Sequence, residues 1–232
     1  VESSRGFGSG FLIAGQYVVT AAHVVWPDEA VVITFDGSRE QLDAPVVAWD
    51  LITDIAVLGP LDTQRPPVKI AGEAPRKGSQ VFIVGFVGEP SSLISRGTVS
   101  RVSKWDSIGV TYYETSADFR DGESGGVLTN GDGEVLGVLG WTNPSHIPLV
   151  ASATDILHRV RKMIGGVNFS GLGPRLLPEG QGQPAHDLVL QDRWDMATFI
   201  LRVPKGANVN IDVEGENDVL YAFVDVIGQS PD

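Results

Sequence analysis

The sequence predicts an all-β protein closed by one helix, and three observations predict it. Short runs rich in β-branched and aromatic residues recur between Phe7 and Ser152. They are spaced roughly 10 residues apart, as in barrels and sandwiches. Turn formers such as Asp36-Gly37 and Gly88-Glu89-Pro90 separate them. Helical spacing of apolar residues is clear in one place only, near residue 160.

Taken in order, the expected strands are Phe7–Ile13, Tyr17–Thr20, Val31–Phe35, Val46–Trp49, Ile55–Leu58, Val81–Val87, Leu93–Val102, Val110–Thr115, Glu134–Trp141 and Leu149–Ser152. Val127-Leu128-Thr129 precedes the turn signals Asn130-Gly131 and Asp132-Gly133, so it pairs as a hairpin with the strand that follows. The helix is expected over Thr154–Ile164, with Ile156, Leu157, Val160 and Ile164 on one face and Gly165-Gly166 ending it. From Gly165 to Pro184, six glycines and three prolines fall in twenty residues, which reads as an irregular connector. Beyond it, Asp187–Gln191, Met196–Val203, Ala207–Val213 and Val219–Ile227 read as four further strands. The implied division is a main domain over 1–164, a connector over 165–186 and a small β-rich segment over 187–232, an incomplete β-sandwich in outline.

Composition removes several function classes. The chain has 232 residues, is 42% hydrophobic and carries a net charge of −12, with no basic stripe, which argues against a nucleic-acid partner. Residues 1–164 carry 13 basic and 19 acidic groups, and residues 165–232 carry 4 and 10. No apolar run reaches the roughly 18 residues a spanning helix needs. There are no cysteines, so disulfides, thiol catalysis and cysteine-rich zinc sites are excluded. A cysteine-free chain suits the cytoplasm and equally a bacterial secreted or periplasmic setting.

Chemistry concentrates at Asp121-Gly122-Glu123-Ser124-Gly125-Gly126. Glycines around a serine allow a sharp turn whose amides converge on one point. The segment satisfies Gly-x-Ser-x-Gly, the nucleophile elbow, and Asp155 with His158 or His186 follow in the order that motif uses. An elbow needs a helix directly after the serine, and here a hairpin follows. A second combination takes His23 after Tyr17-Val18-Val19-Thr20-Ala21-Ala22 and Asp54 at the entry to Ile55-Ala56-Val57-Leu58. The order His23, Asp54, Ser124 is one in which Ser-His-Asp triads occur. Asp50 lies near Asp54 but lacks the apolar strand directly after it.

Together, Gly8-Ser9-Gly10-Phe11, Thr20-Ala21-Ala22-His23-Val24-Val25, Asp54-Ile55-Ala56-Val57-Leu58 and Gly122-Glu123-Ser124-Gly125-Gly126 resemble a trypsin-like serine protease, HtrA/Deg-like in style, across roughly residues 6–164. No PDZ sequence is recognisable. The resemblance implies two six-stranded β-barrels of the chymotrypsin type with a C-terminal helix, followed by the β-rich annex. It also implies a serine endopeptidase acting on protein or peptide substrates without metal or cofactor. His23, Asp54 and Ser124 would be catalytic, and the amides of Gly122 and Ser124 would form the oxyanion hole. Asp118, Phe119, Leu139, Gly140 and Trp141 would line the specificity pocket, where Asp118 favours a basic residue and Phe119 a small or apolar one. Glu123 departs from the family, which carries Asp or Asn before the nucleophile. Val1 also stands several residues ahead of the first motif, so activation through a new amino terminus does not carry over.

The remaining candidates have plainer readings. His146, His158 and His186 read as loop or helix-surface residues, and Trp105, Trp141 and Trp194 as core or pocket wall. Asp212, Glu214, Glu216, Asn217 and Asp218 do not match the calcium-loop spacing and read as a solvated turn. The C-terminal β segment offers strands to the barrel, to a further domain or to a partner protein. A proteolytically silent binding module and a serine esterase stay open as alternatives to the peptidase.

Overall fold

The computed structural model describes residues 1–4, 6–88, 92–105, 109–142, 147–166, 172–176 and 197–200, with backbone alone at 141–142, 172–176 and 197–200. The chain divides into two compact units, Val1–Gly171 and Leu172–Asp232.

The first half of unit one is built from β1 (Glu2–Ser3), β2 (Gly6–Phe7), β3 (Gly10–Ile13), β4 (Tyr17–Thr20), helix α1 (Ala22–Val25), β5 (Ala30–Thr34), β6 (Gln41–Asp50) and β7 (Ile55–Leu58). The strands form a seven-stranded sheet in the order β2-β1-β5-β6-β7-β4-β3. β7 lies between β6 and β4, and all four of its residues are buried, as the unbroken run Ile-Ala-Val-Leu requires. Exposed and covered residues alternate along β5, the pattern of a strand with one wet face. The resemblance implies a six-stranded barrel here; the strands form a seven-stranded sheet instead, in which the run expected over Phe7–Ile13 breaks at Gly8-Ser9 and Gly6–Phe7 pairs with Glu2–Ser3.

The second half comprises β8 (Gln80–Gly85), β9 (Leu93–Trp105), β10 (Val110–Thr115), β11 (Val127–Thr129), β12 (Val135–Thr142), β13 (Pro148–Ser152) and helix α2 (Ala153–Ile164). Its six strands close as the barrel β10-β13-β12-β11-β8-β9. The β11–β12 turn follows its sequence signals. Asn130 Oδ1 accepts from the N–H of Asp132 and of Glu134, both at 3.0 Å, and Gly133 takes φ +76°. This is the chymotrypsin-like architecture, with its terminal helix.

α2 buries Ile156, Val160 and Met163 against strands from both halves, including Val57 and Val138. Met163 takes the inward place expected of Ile164, which is half-buried. The helix ends at the paired glycines, where Gly166 at φ +83° donates to Met163 O. A single core cluster thus joins the two halves and holds the loops between them in register.

In unit two, β14 (Leu172–Leu176) pairs in parallel with β15 (Ala197–Ile200). β14 falls inside the stretch for which composition predicts an irregular connector. The strands expected at Asp187–Gln191, Ala207–Val213 and Val219–Ile227, the acidic turn at 212–218, and His146, His186 and Trp194 lie outside the described residues.

Candidate active site

β4 delivers His23. The strand runs into Ala21 and Ala22, both without exposed surface, and His23 is the second residue of the short helix α1. The His23 N–H donates to Asp54 Oδ1 at 2.9 Å, and Nδ1 lies 2.7 Å from Asp54 Oδ2. A carboxylate facing Nδ1 holds the proton there and leaves Nε2 as the basic nitrogen. The His23 side chain is 35% exposed, whereas Asp54 is fully buried. Burial pushes the Asp54 carboxyl pKa up, and the His23 hydrogen bond and charge pull against that shift.

Asp54 sits at φ +58°, a left-handed conformation uncommon outside glycine. Asp50 holds the turn that imposes it. Its Oδ1 accepts from the N–H of Ile52 at 3.0 Å and of Thr53 at 3.2 Å, and its Oδ2 from Arg159 on α2 at 2.7 Å. Asp50 is therefore no rival for the acid position; it braces the loop that carries Asp54. The N–H of Ala22 donates to the Asp54 carbonyl, tying the loop to α1. Gly140, on β12, leaves room for the carboxylate: a Cβ there would stand 3.1 Å from Asp54 Oδ2.

The serine turn is held from several sides. Gly122 and Gly125 have φ of +94° and +81°. A Cβ on Gly125 would lie 2.3 Å from Ser9 O and 2.4 Å from Thr20 Oγ1, so only glycine lets the turn approach the β3–β4 pair beside His23. Gly125 N–H donates to Leu139 O, and Leu139 N–H to Gly126 O. The Ser9 N–H donates to Ser124 O at 2.7 Å. Among the described residues, the N–H groups of Gly122 and Ser124 donate to no protein acceptor. Glu123 is completely buried, and its Oε2 accepts from the Arg120 N–H at 2.7 Å. Burial raises its pKa, opposed by the Arg120 hydrogen bond.

The expected pocket residues separate. Asp118 and Phe119 line an open groove of about 410 Å³ with Ser100, Thr115, Ile147 and Pro148. None of His23, Asp54 and Ser124 lines it. Leu139 has no exposed surface and packs in the barrel core, so only its backbone serves the site. Gly140 backs Asp54, and the Trp141 side chain lies outside the described residues. No group of three or more metal-ligating side chains occurs among the described residues. Sequence reasoning missed Ser9 and the Asp50–Arg159 pair as site-building residues. The only signal for Ser9 was its place between two glycines.

Comparison with known proteins agrees with this geometry. The family described as "Trypsin-like peptidase domain" matches residues 8–138. The chain is 32% identical over 190 residues to a "Probable periplasmic serine endoprotease DegP-like" of Halomonas elongata, covering 76% of this chain and 40% of that protein. It is 33% identical over 141 residues to "Serine protease Rv3671c" of Mycobacterium tuberculosis, covering 57% of this chain and 35% of that one. The crystal structure of the serine endoprotease from Yersinia pestis superposes with a TM-score of 0.60 at 25% identity, over 68% of this chain and 57% of that chain. The chain thus spans about two-fifths or less of the length of these two curated relatives. Its motifs, its fold and the 8–138 match together make the chain a member of the trypsin-like peptidase family.

Proposed function

We propose that this chain is a serine endopeptidase that cleaves protein or peptide substrates with Ser124 as nucleophile, His23 as general base and acid, and Asp54 as the buried acid. One observation carries the reading. A fully buried carboxylate grips His23 at two points, and the serine turn beside it offers two N–H groups with no internal acceptor.

In the acylation step Ser124 Oγ bonds to the substrate carbonyl carbon as its proton passes to His23 Nε2. The carbonyl π electrons move to oxygen, and the N–H groups of Gly122 and Ser124 receive that oxyanion. In comparable enzymes such a donor is worth about 3–4 kcal/mol. Collapse of the tetrahedral species breaks the C–N bond, and His23 hands its proton to the departing amine. Water then repeats the sequence against the acyl-enzyme and restores Ser124. Asp54 keeps the Nδ1 proton in place and stabilises the imidazolium while it exists. The relatives named periplasmic support an extracytoplasmic setting for this chain.

A fluorophosphonate probe tests the proposal. The wild type labels at Ser124 and Ser124→Ala does not; an unlabelled wild type overturns the assignment. A peptide library then reads the preference around the cut. Turnover of simple esters with no peptide cleaved would make the chain an esterase instead.

A further inference from the structure

We infer that Ser9 is a positioning residue of the reaction: its hydroxyl and its N–H together set the orientation of the turn that supplies the oxyanion donors. The inference rests on the reading of Ser124 as nucleophile. Glycine at 122, with φ +94°, gives the peptide groups on either side of it little steric preference, so something outside the turn must choose their direction. Ser9 is placed to choose. Its Oγ donates to Gly122 O at 2.8 Å, and its N–H donates to Ser124 O at 2.7 Å. One residue thereby takes the carbonyls of both residues whose N–H groups face the substrate.

Ser9 is itself immobilised. Its Oγ accepts from the Phe86 N–H at 2.7 Å, its carbonyl accepts from Thr20 Oγ1 at 2.6 Å, and it is 5% exposed. A hydroxyl has one proton to give, and accepting from Phe86 leaves that proton for Gly122. The far end of the 122–123 peptide is held as well, because the Glu123 N–H donates to Arg120 O at 3.1 Å. Without the Ser9 hydroxyl, Gly122 O loses its donor, the 122–123 peptide keeps only its Glu123 N–H bond to Arg120 O, and the glycine that joins it to the 121–122 peptide has room to reorient. Ser124 O would keep its bond from the Ser9 backbone. Removing the hydroxyl should therefore loosen Gly122, whose N–H lies in the adjoining 121–122 peptide, and through it the first oxyanion donor, while sparing the nucleophile's own position.

The test uses the purified chain with Ser9→Ala and Ser9→Cys, in peptide hydrolysis and in binding of a peptide aldehyde, whose adduct places an oxyanion in the hole. Ser9→Ala is expected to lower kcat by about 10- to 100-fold, the range for a donor displaced by about 1 Å, with KM within about twofold. Aldehyde affinity should fall in parallel, while affinity for a product peptide holds. Ser9→Cys keeps the size and a weak donor, so its kcat should fall between the two, and it carries the test if Ser9→Ala does not fold. Unchanged kcat in Ser9→Ala, a loss confined to KM, or a loss that only follows a drop in Tm overturns the inference while wild-type labelling stands. A wild type that no fluorophosphonate labels overturns the function and this inference with it.

Discussion

Replacing Glu123 with alanine separates the geometry of the serine turn from the stability of the fold. The substitution removes the acceptor of the Arg120 N–H, which costs about 1 kcal/mol because Arg120 is exposed and water can take that bond. It also opens a void beside Gly85, against which the Glu123 side chain packs. At about 24 cal/mol per Å³, a residual cavity on the order of 40 Å³ adds about 1 kcal/mol. Against this, Glu123 Oε1 is buried with no hydrogen-bond partner, and losing it returns about 1–3 kcal/mol. The net change is within about 1 kcal/mol of zero, far below the 5–15 kcal/mol typical of a domain, so the variant stays folded. Catalysis is more sensitive, because the Arg120–Glu123 link closes the turn that leads into Ser124. A loosened turn should lower kcat by about tenfold or more with KM nearly constant. Glu123→Gln retains an acceptor for Arg120 and should restore most of kcat. The same pair predicts a pH effect on stability. The folded pKa is raised above the unfolded value of 4.5, so the folded state binds the extra proton between them. Wild-type stability therefore falls as pH rises from 4.5 through the raised folded value, and Glu123→Gln lacks that decline. Urea melts across this window and steady-state kinetics check both claims; full turnover in Glu123→Ala would refute the reasoning.

Two further substitutions probe the acid side. Asp54→Asn preserves shape but can present its amide N–H to His23, favouring the wrong tautomer, and should cost about 10⁴-fold in kcat; single-turnover assays at neutral pH check this. Arg159→Met strips Asp50 of its ion-pair partner in a fully buried position and should cost about 3–5 kcal/mol, read as a lower urea midpoint at unchanged m.

How far the site was legible follows from what each residue signals locally. Strand runs with clear boundaries, such as Tyr17–Thr20, Ile55–Leu58 and Val110–Thr115, lie where periodicity placed them. Burial on one face or both leaves that pattern in the residues themselves. β1 and α1 are too short to carry a period, and Gln41–Ala44 looks polar because it extends β6 along a partly wet ladder. His23, Asp54 and Ser124 stood out because each sits in a motif. Ser9, Asp50 and Arg159 did not, because the links that matter at the site, Ser9 to Gly122 and Asp50 to Arg159, join residues far apart in the chain. Ser9 reaches Gly122 across 113 positions, and Arg159 reaches Asp50 across 109. No local pattern encodes such a pairing. Leu139 departs in the opposite direction: the family resemblance put it in the pocket wall, but strand alternation turns its side chain into the barrel.

The two long-range links also explain how the halves keep register. His23 and Asp54 belong to the first sheet, and Ser124 to a loop of the second barrel. The apolar core shared through α2 supplies most of the attraction between the halves, but burial of apolar surface is non-directional and tolerates small slides. A slide of about 1 Å would matter at the proposed triad. Directional bonds resist it, one set at the serine turn and one at the turn before Asp54. On the serine side, Ser9 of the first half bonds Gly122 O and Ser124 O, and Thr20 Oγ1 holds Ser9 through its carbonyl. On the acid side, Arg159, on the helix after the second barrel, grips Asp50 in the turn before Asp54. Tyr112 of the second barrel adds a buried hydroxyl, whose pKa is pushed far up by burial first and then by the charges of Asp50 and Asp54. Buried polar pairs of this kind are weak sources of net stability, since desolvation offsets most of their attraction. What they supply is a fixed distance between two rigid bodies, and the proposed triad of His23, Asp54 and Ser124 is the feature of this fold that depends on that distance most.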